Sequence, residues 1–212
     1  SLECAISHII AFKLGAISVP LFLLFGPDAL SYRISNADIQ VLITDNAGAR
    51  KLRQMAKSVQ NNLKIYTVDG ADSKLRTNDL CFSHLNESTS FKYVNTLADD
   101  PATITYTSGT TGSPKGALHA HRVLLGHLPG LEMFLNLFSK YKHQKDNLLW
   151  TPADWAWMGG LYNILLPGLH HGVPVLAHRF EKFSGKKAFE IMSEHKITGA
   201  FLPPTALKML RS

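Results

Sequence analysis

The chain has 212 residues, 45% of them hydrophobic, with 22 Lys and Arg against 16 Asp and Glu for a formal charge of +6. That length holds one or two domains with a sizeable core, and a charged fraction of only 18% excludes wholesale disorder. Two cysteines, Cys4 and Cys81, exclude a disulfide framework or a four-cysteine zinc site, so a cytoplasmic setting is expected.

Leu2, Ala5, Ile6, Ile9 and Phe12 fall at helical spacing, and Ala16-Ile17-Ser18-Val19 then enters a buried strand near Pro20. Ala5 to Phe25 is nearly all apolar, but His8 and Lys13 interrupt it and Gly15 and Pro20 break it, so no membrane span is expected. Asp28 to Ser35 reads as a helix and Ile39 to Thr44 as a strand. Ala49, Leu52, Met55, Ala56 and Val59 form the apolar stripe of a further helix, with Asp45 and Asn46 as caps, and Leu63 to Val68 is the next strand. Residues 69 to 100 are polar and poorly periodic, a long surface excursion with apolar islands at Leu80-Cys81-Phe82 and Phe91 to Val94.

Thr103 to Thr107 is a strand, a small-residue loop follows, and Gly116 to His121 alternates like a second strand with His119 and His121 on one face. Val123 to Phe138 is mostly helical, with Pro129-Gly130 expected to kink or break it. After a polar boundary at Lys140 to Asn147, strands are expected at Leu148 to Trp150, Val173 to Ala177 and Ile197 to Leu202. Helices are expected at Leu161 to Leu169, Lys187 to His195 and Thr205 to Arg211. The alternation predicts an α/β fold of two layered lobes with mostly parallel sheets. The first lobe is expected over residues 1–122, a connecting helix and boundary over 123–147, and part of a second lobe over 148–212.

Basic residues cluster only in short groups, Arg50-Lys51-Leu52-Arg53, Lys140 to Lys145 and Lys186-Lys187. A polyanion partner selects for a stripe of charge, so no nucleic acid is expected. His119, His121 and the His170-His171 pair lack a third ligand at useful spacing, so no protein-held metal is expected. No Gly-x-Ser-x-Gly nucleophile turn is present.

The sharpest feature is Thr107-Ser-Gly-Thr-Thr-Gly-Ser-Pro-Lys-Gly116. Gly109 and Gly112 let backbone amides approach an anion, hydroxyls crowd the stretch, and Lys115 adds a full charge, which together describe a phosphate cradle. The common P-loop runs Gly-Lys-Ser/Thr straight into a helix. Here Ser113 and Pro114 separate Gly112 from Lys115, and Pro114 pushes Ser113 toward extended geometry, so strand–loop–strand is expected. Gly/Ser/Thr clusters also make plain surface turns.

Tyr106-Thr-Ser-Gly-Thr-Thr-Gly-Ser-Pro-Lys-Gly116 resembles the phosphate-binding signature of the adenylate-forming superfamily, which includes acyl- and acetyl-CoA synthetases, peptide-synthetase adenylation domains and firefly luciferase. Leu14-Gly-Ala-Ile-Ser-Val-Pro-Leu21, Asp99-Asp-Pro-Ala102 and Leu118-His-Ala-His121 resemble its usual surroundings. Thr151-Pro-Ala-Asp-Trp-Ala-Trp-Met-Gly-Gly160 resembles the Ala-Asp-x-x-Trp-x-x-Gly stretch of short- and medium-chain acyl-CoA synthetases, and Pro203-Pro-Thr-Ala-Leu-Lys208 a segment of the acetyl-CoA synthetase branch. Taken alone, Trp155 and Trp157 read more often as core or interface packing, and Asp154 as a turn cap.

The resemblance implies part of the N-terminal domain of an acyl-CoA synthetase-like ligase. Such an enzyme joins a carboxylate to ATP with release of pyrophosphate, then passes the acyl group to CoA. It implies that Thr107, Ser108, Gly109, Thr110, Thr111, Gly112, Ser113 and Lys115 bind ATP phosphates, with Thr110 and Lys115 acting in catalysis. Trp157, Met158, Gly159 and Gly160 would wall the pocket for a short- to medium-chain fatty acid. Mg²⁺ would ride on phosphate and water oxygens. The family's adenine-and-magnesium, ribose and C-terminal lysine motifs are not found, so the chain is expected to be an internal part of a longer enzyme, to need that enzyme's C-terminal domain as partner, and to be inactive alone. A peptide-synthetase adenylation domain and a non-catalytic nucleotide-binding module are the competing readings.

Overall fold

The first helix, α1 (Leu2–Lys13), ends because Gly15 takes a left-handed conformation at φ +65°. There the amides of Gly15 and Ala16 bond back to the carbonyls of Phe12 and Ala11 at 3.2 and 2.9 Å, satisfying the last turn. The computed structural model describes residues 1–55, 63–68, 80–81, 90–107, 112–136, 146–180 and 182–211. They divide into two compact units, Glu3–His119 and Ser1–Leu2 with Ala120–Ser212.

In the Glu3–His119 unit, α2 (Pro27–Asn36) starts on a proline, whose missing amide costs nothing in a first turn. Strand β1 (Val41–Thr44) leads into α3 (Asn46–Leu52), capped by the Asp45 carboxylate accepting from the Gly48 amide at 2.7 Å. Strand β2 (Lys64–Thr67) returns parallel to β1 with Val41 opposite Lys64, and β3 (Leu80–Cys81) lies parallel on its other side with Tyr66 opposite Leu80. Leu80 and Cys81, expected within a surface excursion, are thus sheet residues; most of that excursion lies outside the described residues. Leu30, Ile34, Leu52 and Met55 form the core against this sheet, joined by Leu21, Phe25, Ile39, Leu42, Leu63 and Ile65. Burying each such aliphatic side chain is worth about 1.5–3 kcal/mol. Lys51, from the densest basic group, donates its ammonium to the Leu23 and Phe25 carbonyls.

The strand expected near Pro20 shrinks to one parallel bridge between Ser18 and Thr103. The Ser18 amide donates to Ala102 at 2.9 Å and its carbonyl accepts from Ile104 at 3.0 Å, tying this segment to β4 (Pro101–Thr107). Strand β5 (Lys115–Ala120) pairs with β4.

In the second unit, α4 (Arg122–Phe134) runs through Pro129 without ending there. The proline removes one helical hydrogen bond, but buried Leu128 and Leu131 on either side hold the turn to the core. Strand β6 (Leu149–Trp150) is central, between β7 (Val175–Leu176) and β8 (Gly199–Ala200), and both pairings are parallel. The helical stretch expected from Leu161 begins earlier and has three parts. They are α5 (Met158–Gly160), a π-helical turn (Leu161–Leu165) and α6 (Leu166–His171). Pro167 has no amide to offer the Asn163 carbonyl, and the Leu166 amide reaches back five residues to Leu161 instead. Helices α7 (Gly185–Glu194) and α8 (Pro204–Arg211) complete the unit. Leu131, Leu149, Ile164 and Val173 form one core cluster, and Trp150, Ala188 and Ile191 another. Among the described residues, no helix is long and apolar enough to cross a membrane.

Candidate functional site

Strand β4 delivers the small-residue loop. Ala102, Thr103, Thr105 and Tyr106 are buried along it, and the chain emerges at exposed Thr107. Tyr106, the last buried residue, donates its hydroxyl to Asn36 Oδ1 at 2.7 Å, with the Arg33 carbonyl at 3.3 Å as a weaker second acceptor. Burial, then the neighbouring Tyr32, push its phenol pKa up against the opposing pull of Arg33, so the hydroxyl stays a donor. The buried Arg33 guanidinium stacks 4.0 Å from the Phe25 ring centroid and 5.4 Å from that of Tyr106, and donates to the Ala29 carbonyl at 2.8 Å.

The far side of the loop begins at Gly112, whose φ of +100° strains any side-chain-bearing residue although, among the described residues, no atom crowds the place of a Cβ. The glycine is called for here by its backbone conformation. Ser113 is exposed, Pro114 half-buried, and Lys115 opens β5 with its side chain exposed. Gly116 is required by packing instead: a Cβ there would sit 2.8 Å from Ile104 Cγ2 and 3.3 Å from Tyr106 Cζ. Strand–loop–strand is therefore the observed arrangement, with Thr107, Gly112, Ser113 and Lys115 at its exposed rims. Ser108, Gly109, Thr110 and Thr111 lie outside the described residues.

The second segment, in the other unit, leaves the C-terminal end of β6, where parallel sheets present their ligand-binding loops. Thr151 Oγ1 donates to the Phe201 carbonyl at 2.7 Å and accepts from the Ala153 amide at 3.0 Å. Asp154 accepts from the Ala156 amide at 2.8 Å through its carboxylate, and its carbonyl accepts from Trp157 at 3.1 Å, which makes it a turn residue. Trp157 is 43% exposed and Met158 36%, so neither is core filler. Gly159 lets the Phe201 ring close in, since a Cβ would stand 2.5 Å from Phe201 Cε1. Gly160 is fully constrained: a Cβ would meet the Asp154 and Ala153 carbonyl oxygens at 2.6 and 2.9 Å.

Trp157, Met158, Gly159 and Gly160 are thus brought together at one helix start, and Thr107, Gly112, Ser113 and Lys115 around one loop. Asn36, Arg33 and Phe201, which help hold these segments, carry no motif and act from distant positions, while Thr151 belongs to the second segment itself. Of the histidines, His119 lies in β5, but His121 follows the strand in a helical conformation, so they share no strand face. The rings of His170 and His171 stand at right angles 4.9 Å apart, with His171 3.2 Å from Glu132. Among the described residues, no group of three or more His, Cys, Asp or Glu is placed to hold a metal ion.

A family model described as AMP-binding enzyme matches residues 1–212. The acetyl-coenzyme A synthetase of Gamma-proteobacterium EBAC31A08 is 30% identical, over 99% of this chain and 34% of its own length. That of Alkalilimnicola ehrlichii is 29% identical, over 98% and 34% respectively. Brucella canis acyl-CoA synthetase has the same fold over 100% of this chain and 37% of its own, with a TM-score of 0.83 at 27% identity. ATP-bound MatB from Rhodopseudomonas palustris covers 91% of this chain and 36% of its own at a TM-score of 0.71 and 23% identity, a likeness of fold. The chain spans about a third of the curated relatives' length.

Proposed function

Since the chain belongs to the AMP-binding enzyme family, we propose that it is part of an ATP-dependent acid–CoA ligase. In the first half-reaction a carboxylate oxygen bonds to the α-phosphorus of ATP and the bond to pyrophosphate breaks. In the second, the CoA sulfur attacks the acyl carbonyl and AMP leaves. The attacking carboxylate is already ionised, so the chain's task is charge neutralisation and alignment, with no acid–base pair needed.

One observation carries this reading: a loop rich in hydroxyls and glycine opens from buried Tyr106 and closes, through left-handed Gly112, on exposed Lys115. In this role the Thr107 and Ser113 hydroxyls, the Gly112 amide and the Lys115 ammonium bind phosphate oxygens. Ser108, Gly109, Thr110 and Thr111 contribute by their resemblance to the family signature, Thr110 with Lys115 acting on the departing pyrophosphate. Mg²⁺ is assigned to phosphate and water oxygens, the hard oxygen ligands that suit it, and no step is routed through it.

Trp157, Met158, Gly159 and Gly160 are assigned to the acid, a short- to medium-chain fatty acid. A CoA ligase is preferred over a peptide-synthetase domain because the curated relatives above are acetyl-coenzyme A synthetases. The remaining two thirds of such an enzyme, its C-terminal domain included, are the chain's functional partners, and the cytoplasm its setting.

The test is ATP–pyrophosphate exchange by a full-length enzyme carrying this segment, across a series of carboxylic acids, followed by thioester formation with CoA. Acid-dependent exchange and CoA-dependent AMP release support the reading; exchange dependent on amino acids alone would overturn it.

A further inference from the structure

We propose that Tyr106 is a positioning residue that sets both ends of the phosphate loop, and so governs nucleotide affinity without touching the nucleotide. The proposal rests on the reading of that loop as the ATP site. Tyr106 is adjacent in sequence to Thr107, where the loop leaves β4, and its hydroxyl is held by Asn36 Oδ1 at 2.7 Å at the end of α2. The returning strand lands on the same ring together with Ile104: a Cβ at Gly116, next to Lys115, would stand 3.3–3.4 Å from Tyr106 Cζ and Cε1 and 2.8 Å from Ile104 Cγ2. A rotation of this one ring would therefore displace Thr107 through the backbone and Lys115 through packing. The ring cannot rotate cheaply: it is buried, its hydroxyl is bonded at one end, and the Arg33 guanidinium lies 5.4 Å from its centroid. Asn36 is exposed and at a helix end, where its side chain is not needed for packing.

Two rims that hang on one fixed ring are pre-organised, and pre-organisation is read as affinity, since the ligand need not order those rims. The hydroxyl and the amide oxygen act as a unit, so their removals do not add.

The experiment uses a full-length enzyme carrying this segment, with KM for ATP, KM for the acid, kcat and melting temperature measured together. Tyr106→Phe keeps the ring and removes the hydroxyl; Asn36→Leu removes the acceptor; Asn36→Asp keeps an acceptor oxygen. Expected are rises of about five- to tenfold in KM for ATP for Tyr106→Phe and Asn36→Leu, the scale of one hydrogen bond. The double variant should be no worse than either, and Asn36→Asp close to wild type, while acid KM and melting temperature stay put. Unchanged ATP KM in both single variants, or additive effects, overturns the proposal. So do parallel losses of ATP KM, acid KM and melting temperature, which would mark a merely structural role. Lys115→Ala separates the two levels. If it impairs adenylation while the Tyr106 and Asn36 variants do not, the positioning role alone is wrong. If it too is silent, the nucleotide loop itself is misassigned.

Discussion

The imidazole Nδ1 of His8 and the hydroxyl of Ser18 lie 2.7 Å apart, joining the buried face of α1 to the segment bridged to β4. Burial lowers the His8 pKa from 6.5 to about 4. An unfolded chain therefore takes up a proton that the folded one refuses between those values, and stability rises with pH across that window and levels off above it. The full change across the window is on the order of 3 kcal/mol. Urea unfolding from pH 4 to 7 should show this slope, and His8→Gln should flatten it. An unchanged slope would place the titration elsewhere.

Gly160 and Gly126 should respond to alanine with opposite signs. At Gly160 the new methyl meets two backbone carbonyls that cannot move aside, which costs about 1–3 kcal/mol. At Gly126, inside α4 with open space around it, alanine should stabilise by ~0.5–1 kcal/mol. Thermal melts of the two variants check the pair.

Lys115→Ala in a full-length enzyme should lower ATP-dependent adenylation about a hundredfold or more, the scale of losing one charge-stabilising donor. Its side chain is exposed at a strand start, so circular dichroism should not change. Gross unfolding would contradict a role confined to the loop.

Trp157→Ala should alter acid preference and leave the fold intact, since the indole is 43% exposed. One methylene in an apolar pocket is worth about 1–3 kcal/mol, so kcat/KM across a chain-length series should shift by roughly tenfold or more. An unchanged profile would remove Trp157 from the acid pocket.

The 212-residue chain alone, spanning a third of its relatives, should show no ATP–pyrophosphate exchange turnover. Robust turnover would mean that these 212 residues suffice for adenylation.

Much of the architecture was legible because its determinants are local. Helical spacing marks α1, α2 and α3, and Asp45 caps α3 as its type suggests. The short β-branched runs of β1 and β4 sit where the alternation places them. What escaped depends on partners far along the chain. Leu80-Cys81 becomes a strand only because β2 offers an edge, while the Ala16 to Val19 run makes a single bridge. Pro129 is a helix breaker by local rules, but Leu128 and Leu131 are held by the core. At the candidate site, the glycine and lysine types were legible. The need for glycine at 116 and 160 was not, because it comes from the facing Ile104 and Tyr106 side chains and from backbone carbonyls. Asn36, 70 positions from Tyr106, has no pattern at all to mark it.

Gly159 and Phe201 occupy one shared volume, the ring filling the space that a side chain at 159 would take. Enlarging residue 159 alone therefore forces the Phe201 ring to move, and shrinking residue 201 alone opens a void. Substitutions here are conditional on each other, and a library meant to reshape this part of the molecule must vary the two positions jointly to find its folded members.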